Sequence, residues 1–291
     1  MKLSEQRQGE VYVIAGTSLW GLFPVVATLS YASVTPLTSL WVSTLCAAVF
    51  FAVVITLRHR WVEVRNIQAV RYSLYTTFFI GILYYVLYFF GLKASNPGNV
   101  SILALSEVFF SFLLFHVWHK HYIPKEHILG AIFMLIGALI VLAPTIGAFH
   151  IGNLFILGAA AMAPIGNFYV QKARKLVSTE MIMFVRGVAG SAAICIISLI
   201  FHAGSPAAAI ATSIPFLMMN GVLVIGVSTM LWIEGIHRIS VTKSNALNSL
   251  GPLITLLLVW MIFKTAPTPW QLLALIPMFF GVLLLGKKSK E

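Results

Sequence analysis

Ten apolar runs of about 20 residues follow one another along the chain, separated by short segments rich in charged residues, Pro, Ser and Asn. An α-helix of about 20 apolar residues crosses the hydrocarbon core of a bilayer. Strands of a membrane β-barrel would alternate polar and apolar residues, and these runs do not. The pattern therefore predicts an all-α integral membrane protein with ten transmembrane helices, at about 11–31, 37–57, 72–92, 98–118, 127–146, 152–171, 180–202, 212–236, 244–263 and 270–286.

The basic residues between the runs predict the orientation of the helices. If the amino terminus lies inside, 16 of the 19 Lys and Arg fall in cytoplasmic segments or tails, and only Lys93 and Lys264 fall outside. Arg186 lies within a span. Short cytoplasmic loops carry such an excess of positive charge, so we expect both termini in the cytoplasm and the protein in the inner membrane.

Composition removes several other classes of protein. Of the 291 residues, 59% are hydrophobic and 9% are charged, which leaves no room for a separate soluble domain. The net charge of +11 does not indicate nucleic-acid binding, because the charges lie between apolar runs and not on one folded face. Cys46 and Cys195 lie in apolar runs and form no CxxC motif. The expected surroundings are a lipid bilayer.

The two halves of the chain repeat each other, which predicts two five-helix units at 1–146 and 147–291. Five spans are an odd number, so the second unit enters the membrane from the opposite side, and an inverted repeat relates the two by a pseudo-two-fold axis in the membrane plane. A shift of 145 residues pairs Gly21 with Gly166, Phe23 with Phe168, Ser95 with Ser240, Leu105 with Leu250 and Leu113 with Leu258; a shift of 144 pairs Met134 with Met278 and Gly137 with Gly281.

Several short motifs occur in the same order as in a known family. They are Leu19-Trp20-Gly21, the stretches 103–110 and 130–137, the stretch 240–252, Pro269-Trp270-Gln271-Leu272-Leu273 and the stretch 281–284. On these, the chain resembles the EamA-type family of the drug/metabolite transporter superfamily. The resemblance implies a ten-helix secondary transporter with a central cavity, commonly an exporter of small metabolites or amino acids. The chain departs from the family in having Glu107 where Pro is frequent, although the second unit keeps Pro252.

Glu107 is the residue most indicative of chemistry. It lies about 14 Å from the outer end of its run, near the middle of the bilayer. A carboxylate there costs at least about 2.5–3.5 kcal/mol, so it should face a cavity or a partner, or be protonated. We expect it to bind a proton or a substrate amine. The alternative is a neutral structural glutamic acid.

Two further charges lie within the predicted helices. Arg186 and Glu234 are at comparable depths near the cytoplasmic side, and intramembrane charges usually pair. We therefore expect an Arg186–Glu234 ion pair, either as an inner gate or as a static contact between helices.

Aromatic and amide residues complete the candidate site. Trp20, Tyr84, Tyr88 and Trp232 are candidates for lining the cavity, and Tyr84 and Tyr88 share one helix face at a spacing of i, i+4. Asn99 and Asn248 project amides near the starts of two helices, where they bind substrate or tie helices together.

The sequence favours a proton-coupled exporter of a small organic metabolite, amino acid-like or drug-like. An uncoupled channel, facilitator or exchanger is the alternative, and a lipid-modifying enzyme is disfavoured because no catalytic grouping is visible. Neither a Walker motif nor any other cofactor motif occurs. His116, His119 and His121 fit no standard metal site. The sequence leaves a homodimer open.

Overall fold

The structure, a computed structural model, describes residues 4–114, 125–143, 151–239 and 241–286. Within these ranges, seven helices are long and apolar enough to cross a membrane, three apolar helices are shorter, and no strand occurs. In chain order they are α1 (Glu5–Ser30), α2 (Pro36–Leu57), α3 (Ile67–Lys93), α4 (Pro97–Phe112), α5 (Lys125–Leu142), α6 (Ile151–Arg174), α7 (Thr179–Ile200), α8 (Ala207–Ile236), α9 (Val241–Asn248 and Gly251–Phe263) and α10 (Pro269–Leu285).

Each of α1–α10 overlaps one of the predicted apolar runs, but some extend into polar sequence. α1 begins at Glu5 and not near residue 11, because the Ser4 hydroxyl accepts the Arg7 backbone N–H and caps the helix. α8 begins at Ala207, directly after Pro206. Hydropathy locates the part of a helix that lies in lipid, whereas capping decides where the helix itself begins.

Three helices are interrupted within the apolar region. α1 breaks at Leu22, two residues before Pro24, whose ring nitrogen cannot donate the next helical hydrogen bond. α9 is interrupted between Asn248 and Gly251, just before Pro252. α4 breaks at Leu105, the repeat counterpart of Leu250, although no proline follows. Repeat symmetry therefore places matching breaks in α4 and α9, and Glu107 lies two residues after the first of them.

π-helical segments also occur at corresponding positions of the two units. Thr77–Tyr84 in α3 and Met219–Val227 in α8 overlap when the sequence is shifted by 145 residues. Such segments are rare and are frequent at functional sites. Both lie in the middle of their helices, so each redirects side chains at the depth where a binding site is expected.

α5 and α10 meet through a contact that is made twice. A methyl group on Gly137 would collide with the side chain of Met278, and a methyl group on Gly281 would lie 2.8 Å from the side chain of Met134. Both methionines are fully buried. These four residues are two of the pairs that the sequence repeat predicts, and reciprocal contacts of this kind define a two-fold interface.

α8 lies against α2 at Gly221. A Cβ atom at this glycine would meet the carbonyl oxygen of Ser43 and lie 2.6 Å from the Cβ of Cys46. Small residues let membrane helices approach this closely. Gly190, in α7, is also buried, but a Cβ there would lie 3.6 Å from its nearest neighbour, the Cγ2 of Thr77.

We predict that Gly221→Ala lowers the free energy of unfolding by about 1–3 kcal/mol, because the added methyl group overpacks the contact with α2. Gly190→Ala is the matched control and should change it by less than about 1 kcal/mol, since the methyl group fits and alanine favours the helix. Reversible unfolding of both variants in detergent micelles checks this. Equal effects at the two positions would contradict the packing described.

Candidate functional site

A cavity of about 630 Å³ lies among α1, α3, α4, α6, α7, α8, α9 and the last residue of α10. Its volume is that of a pocket for a small organic molecule. Both units contribute residues to its wall. Seven of the nine residues that the sequence singled out line it, namely Trp20, Tyr84, Tyr88, Glu107, Arg186, Trp232 and Asn248.

The cavity reaches only one end of the helix bundle. Its lining includes Arg174, the last residue of α6, Thr179, the first residue of α7, and Ile236, the last residue of α8. Towards the other end, the nearest lining residues are Tyr88 and Ser101, and each lies at least one helical turn inside its helix. We call these the open end and the closed end of the cavity.

Glu107 faces the cavity and has a polar partner. The side-chain amide of Asn167, on α6, donates a hydrogen bond of 2.8 Å to Oε1 of Glu107, on α4. An amide N–H can donate to a carboxyl oxygen whether the other oxygen is protonated or not. This hydrogen bond thus joins the two units through a group that can carry one proton.

Sequence analysis missed Asn167, although a signal was present. Four residues of α6 line the cavity at helical spacing, Ala163, Asn167, Val170 and Arg174. This i, i+4, i+7, i+11 pattern places them on one face of the helix. Asn167 is the uncharged polar residue of that face, seven residues or about 10 Å from the end of α6. A comparison of helix faces, and not of single residues, would have found it.

Arg186 lies in the cavity wall without a carboxylate partner among the ion pairs of the described residues. Its guanidinium group is 5.9 Å from the centre of the Tyr85 ring. The lack of a side chain at Gly81, in the π-helical segment of α3, makes room for it, since a Cβ there would lie 3.3 Å from Cγ of Arg186. The ring stabilises the cation while leaving its N–H groups available to a ligand.

The structure does not contain the expected Arg186–Glu234 ion pair. Glu234 is 53% exposed and pairs instead with Arg238, one turn further along α8, at 2.8 Å. The two residues lie at comparable depths along their helices, but the prediction did not consider the helix face on which each lies. Glu234 is two residues, or about 200° of rotation, from Trp232, and Trp232 is the one that lines the cavity.

Aromatic rings close the cavity at its closed end. Phe23 is fully buried and lies 5.1 Å from the Tyr88 ring, 5.7 Å from Phe89 and 6.0 Å from Tyr85, measured between ring centres. The Tyr31 hydroxyl donates to the backbone carbonyl of Phe89 at 3.2 Å. We call these five residues the aromatic plug. Tyr84 and Tyr88, stacked at 5.7 Å, form the adjoining wall.

The repeat counterpart of Phe23 has a different environment. Phe168 is partly exposed and lies 4.3 Å below the ammonium group of Lys172. Two equivalent phenylalanines thus differ in burial at the two ends of the bundle. The buried one, Phe23, lies at the closed end of the cavity.

The two candidate amides serve different roles. Asn248 lines the cavity and accepts a hydrogen bond of 3.3 Å from the Thr17 hydroxyl of α1. Asn99 does not line it. Its side-chain oxygen accepts a hydrogen bond of 2.7 Å from the Gln271 amide. Asn99 therefore ties α4 to α10, which is the helix-packing alternative.

The described residues contain no group of three or more His, Cys, Asp and Glu side chains placed to hold a metal ion. His116, His119 and His121 lie outside the described residues. The cavity wall instead combines one carboxyl group, the guanidinium groups of Arg174 and Arg186, amides and aromatic rings. Such a wall can bind a small polar molecule and a proton.

Comparisons with known proteins give the same picture. No curated protein matches the chain. A solved structure titled "Crystal structure of protein" is similar over 96% of this chain and 97% of its own, with a TM-score of 0.70 and 17% identity, which shows a shared fold. A family model described as the EamA-like transporter family matches twice, at residues 7–143 and 150–287. The chain therefore belongs to the EamA-like transporter family.

Proposed function

We propose that the protein is a secondary active transporter that exports a small organic solute, amino acid-like or drug-like, across the inner membrane in exchange for protons. The observation that carries the proposal is the position of Glu107, which faces the central cavity and accepts a hydrogen bond from Asn167 of the other unit. Family membership supports a membrane transporter, and the position of Glu107 in the cavity supports coupling of transport to protons.

The proposed topology has ten spans arranged as two inverted units, with both termini in the cytoplasm. Each of the three shorter apolar helices coincides with a predicted run. In this orientation the end of α6 and the start of α7 are cytoplasmic, so the cavity reaches the cytoplasmic side. A solute would enter there from the cell interior.

The proposed cycle exchanges the environments of two equivalent residues. In the present arrangement Phe23 is buried in the aromatic plug on the outer side, and Phe168 is partly exposed on the inner side. An inverted repeat has two alternative closures of similar energy. In the second closure Phe168 would be buried against α8 and Phe23 would be released, so the cavity would face outward.

Glu107 would couple the two closures to protons. With the cavity facing inward, an ionised Glu107 accepts an N–H donor of the solute. Protonation from the outer side neutralises the carboxyl group, weakens its hold on the solute and allows it to leave. The Asn167 amide, which donates to Glu107 in the structure, can donate to the carboxyl group in either protonation state and would hold it in position. The cycle makes no covalent bond, and we propose no enzymatic activity.

Arg186 would bind an acidic group of the solute. It lines the cavity, lies against the Tyr85 ring and forms no ion pair among the described residues that a solute would have to displace. Charge-assisted hydrogen bonds are about twice as strong as neutral ones. A solute that carries both an acidic group and an N–H donor could therefore span the distance between Arg186 and Glu107 across the cavity.

We predict that Glu107→Gln abolishes gradient-driven transport. Glutamine fills the same space and can still bond to Asn167, but it cannot take up a proton. The measurement is accumulation of amino acids and organic cations by proteoliposomes with an imposed pH gradient. Glu234→Gln is the matched control, because this glutamate is exposed and outside the cavity. Accumulation by Glu107→Gln equal to that of the wild type would remove Glu107 from the coupling role.

The same assay separates the alternatives. A facilitator would equilibrate a solute without responding to the pH gradient, and an exchanger would require solute on both sides. Either result with the wild-type protein would contradict proton coupling while leaving the transporter assignment in place.

We predict that Arg186→Gln raises the solute concentration for half-maximal transport by about tenfold or more, the effect of losing one charged hydrogen bond. Arg238→Gln is the matched control, since that guanidinium also lies over a tyrosine ring, Tyr12 at 5.2 Å, but outside the cavity. Combining Arg186→Gln with Glu234→Gln should give additive effects, within about 0.5 kcal/mol. A strongly non-additive effect of the two substitutions would indicate that Arg186 and Glu234 do form an ion pair, and would contradict the structure.

A further inference from the structure

Aromatic and basic side chains meet on the outer surface of the bundle where α3 begins and α6 ends. α3 contributes Arg71, Tyr72 and Tyr75, and α6 contributes Phe168, Tyr169 and Lys172. The two helices run in opposite directions, so the first turns of one lie beside the last turns of the other. The Tyr169 ring is 4.9 Å from Tyr75 and 6.4 Å from Tyr72, and these contacts join the helices. We call the six residues the α3–α6 cluster.

Two cations, Arg71 and Lys172, lie in this cluster near the start of α3 and the end of α6. Lys172 Nζ is 4.3 Å from the centre of the Phe168 ring and lies farther from the rings of Tyr72 and Tyr169, at 5.8 Å and 6.0 Å. Arg71 donates from Nε to the Tyr75 hydroxyl at 3.0 Å. In the described part of the chain, ion pairs involve Arg58, Arg238 and Lys243, and neither cation of the cluster. Both cations are exposed.

An apolar strip continues from the cations towards the middle of the span. Leu74 is 46% exposed and Phe78 is 51% exposed, and they follow Arg71 at i+3 and i+7 on α3. Residues at this spacing share one helix face. The surface is thus amphipathic, with two positive charges at one end and lipid-facing hydrocarbon below them. A free anion would contact only the two cations and not the apolar strip.

The cluster has no counterpart at the opposite end of the bundle. A shift of 145 residues replaces Arg71 by Phe216 and Tyr72 by Leu217, and it replaces Lys172 by Ala27 and Tyr169 by Pro24. The repeated fold does not by itself require these charges. They occur only at the end that the distribution of Lys and Arg assigns to the cytoplasm, where anionic lipids attract basic residues.

We propose that the α3–α6 cluster binds an anionic phospholipid of the cytoplasmic leaflet. Lys172 and Arg71 contact the phosphate, the tyrosine hydroxyl groups lie at headgroup level, and an acyl chain lies along Leu74 and Phe78. Basic pockets between helices on this side of the membrane are typical lipid headgroup sites. The bound lipid bridges α3 and α6, both of which line the cavity. The proposal does not depend on Glu107 or on the transported solute.

Native mass spectrometry of the purified protein tests the site. The protein is mixed with phosphatidylglycerol and phosphatidylcholine of the same acyl chains. We expect wild type to retain phosphatidylglycerol in preference, and Arg71→Gln with Lys172→Gln to bind it on the order of tenfold more weakly. The charge-matched control combines Lys93→Gln with Lys264→Gln, which removes two exposed cations at the opposite end. The control should bind as the wild type does.

Further arms identify the source of the phosphate and guard against misfolding. Inorganic phosphate and glycerol phosphate should fail to displace the lipid, and Arg71→Lys with Lys172→Arg should keep the binding and the melting temperature of the wild type. Displacement by either soluble anion would indicate a free-anion site and overturn the proposal. So would unchanged lipid binding in the glutamine variant, or an equal loss in the control.

Discussion

The contact between α5 and α10 constrains the rest of the structure, because it is made twice by equivalent residues. Gly137 faces Met278, and Gly281 faces Met134. These reciprocal contacts form a two-fold interface between the two units. The present arrangement buries Phe23 in the aromatic plug and leaves its counterpart partly exposed. The cavity is therefore closed at one end and reaches the other.

The chemistry of the site follows from placing charged groups where lipid cannot reach them. Glu107 and Arg186 would each be costly in contact with hydrocarbon, but both face a protein-lined cavity shared by the two units. Asn167 satisfies one carboxyl oxygen, and the Tyr85 ring lies beneath the guanidinium group. Both charges remain accessible to a ligand of the cavity. Their availability, more than the size of the cavity, supports coupled transport of a polar solute.

Much of the architecture could be predicted from the sequence, because the length of an apolar run and its repetition are set by the bilayer and by symmetry. Glu107 and the four candidate rings line the cavity, and their binding roles stay predictions. Glu234 was wrongly paired with Arg186, since depth was considered without the helix face. Asn99 and Asn248 could not be separated, because their partners, Gln271 and Thr17, come from helices far away in the sequence.

Distances between spin labels at the two ends of the bundle test whether one end of the cavity opens as the other closes. After replacement of the two native cysteines, one pair of labels at Ser33 and Lys93 spans the closed end, and a second pair at Lys175 and Glu234 spans the open end. The account predicts that a change of pH or addition of a transported solute lengthens one distance while it shortens the other. Two distances that stay fixed, or that change in the same sense, would contradict it.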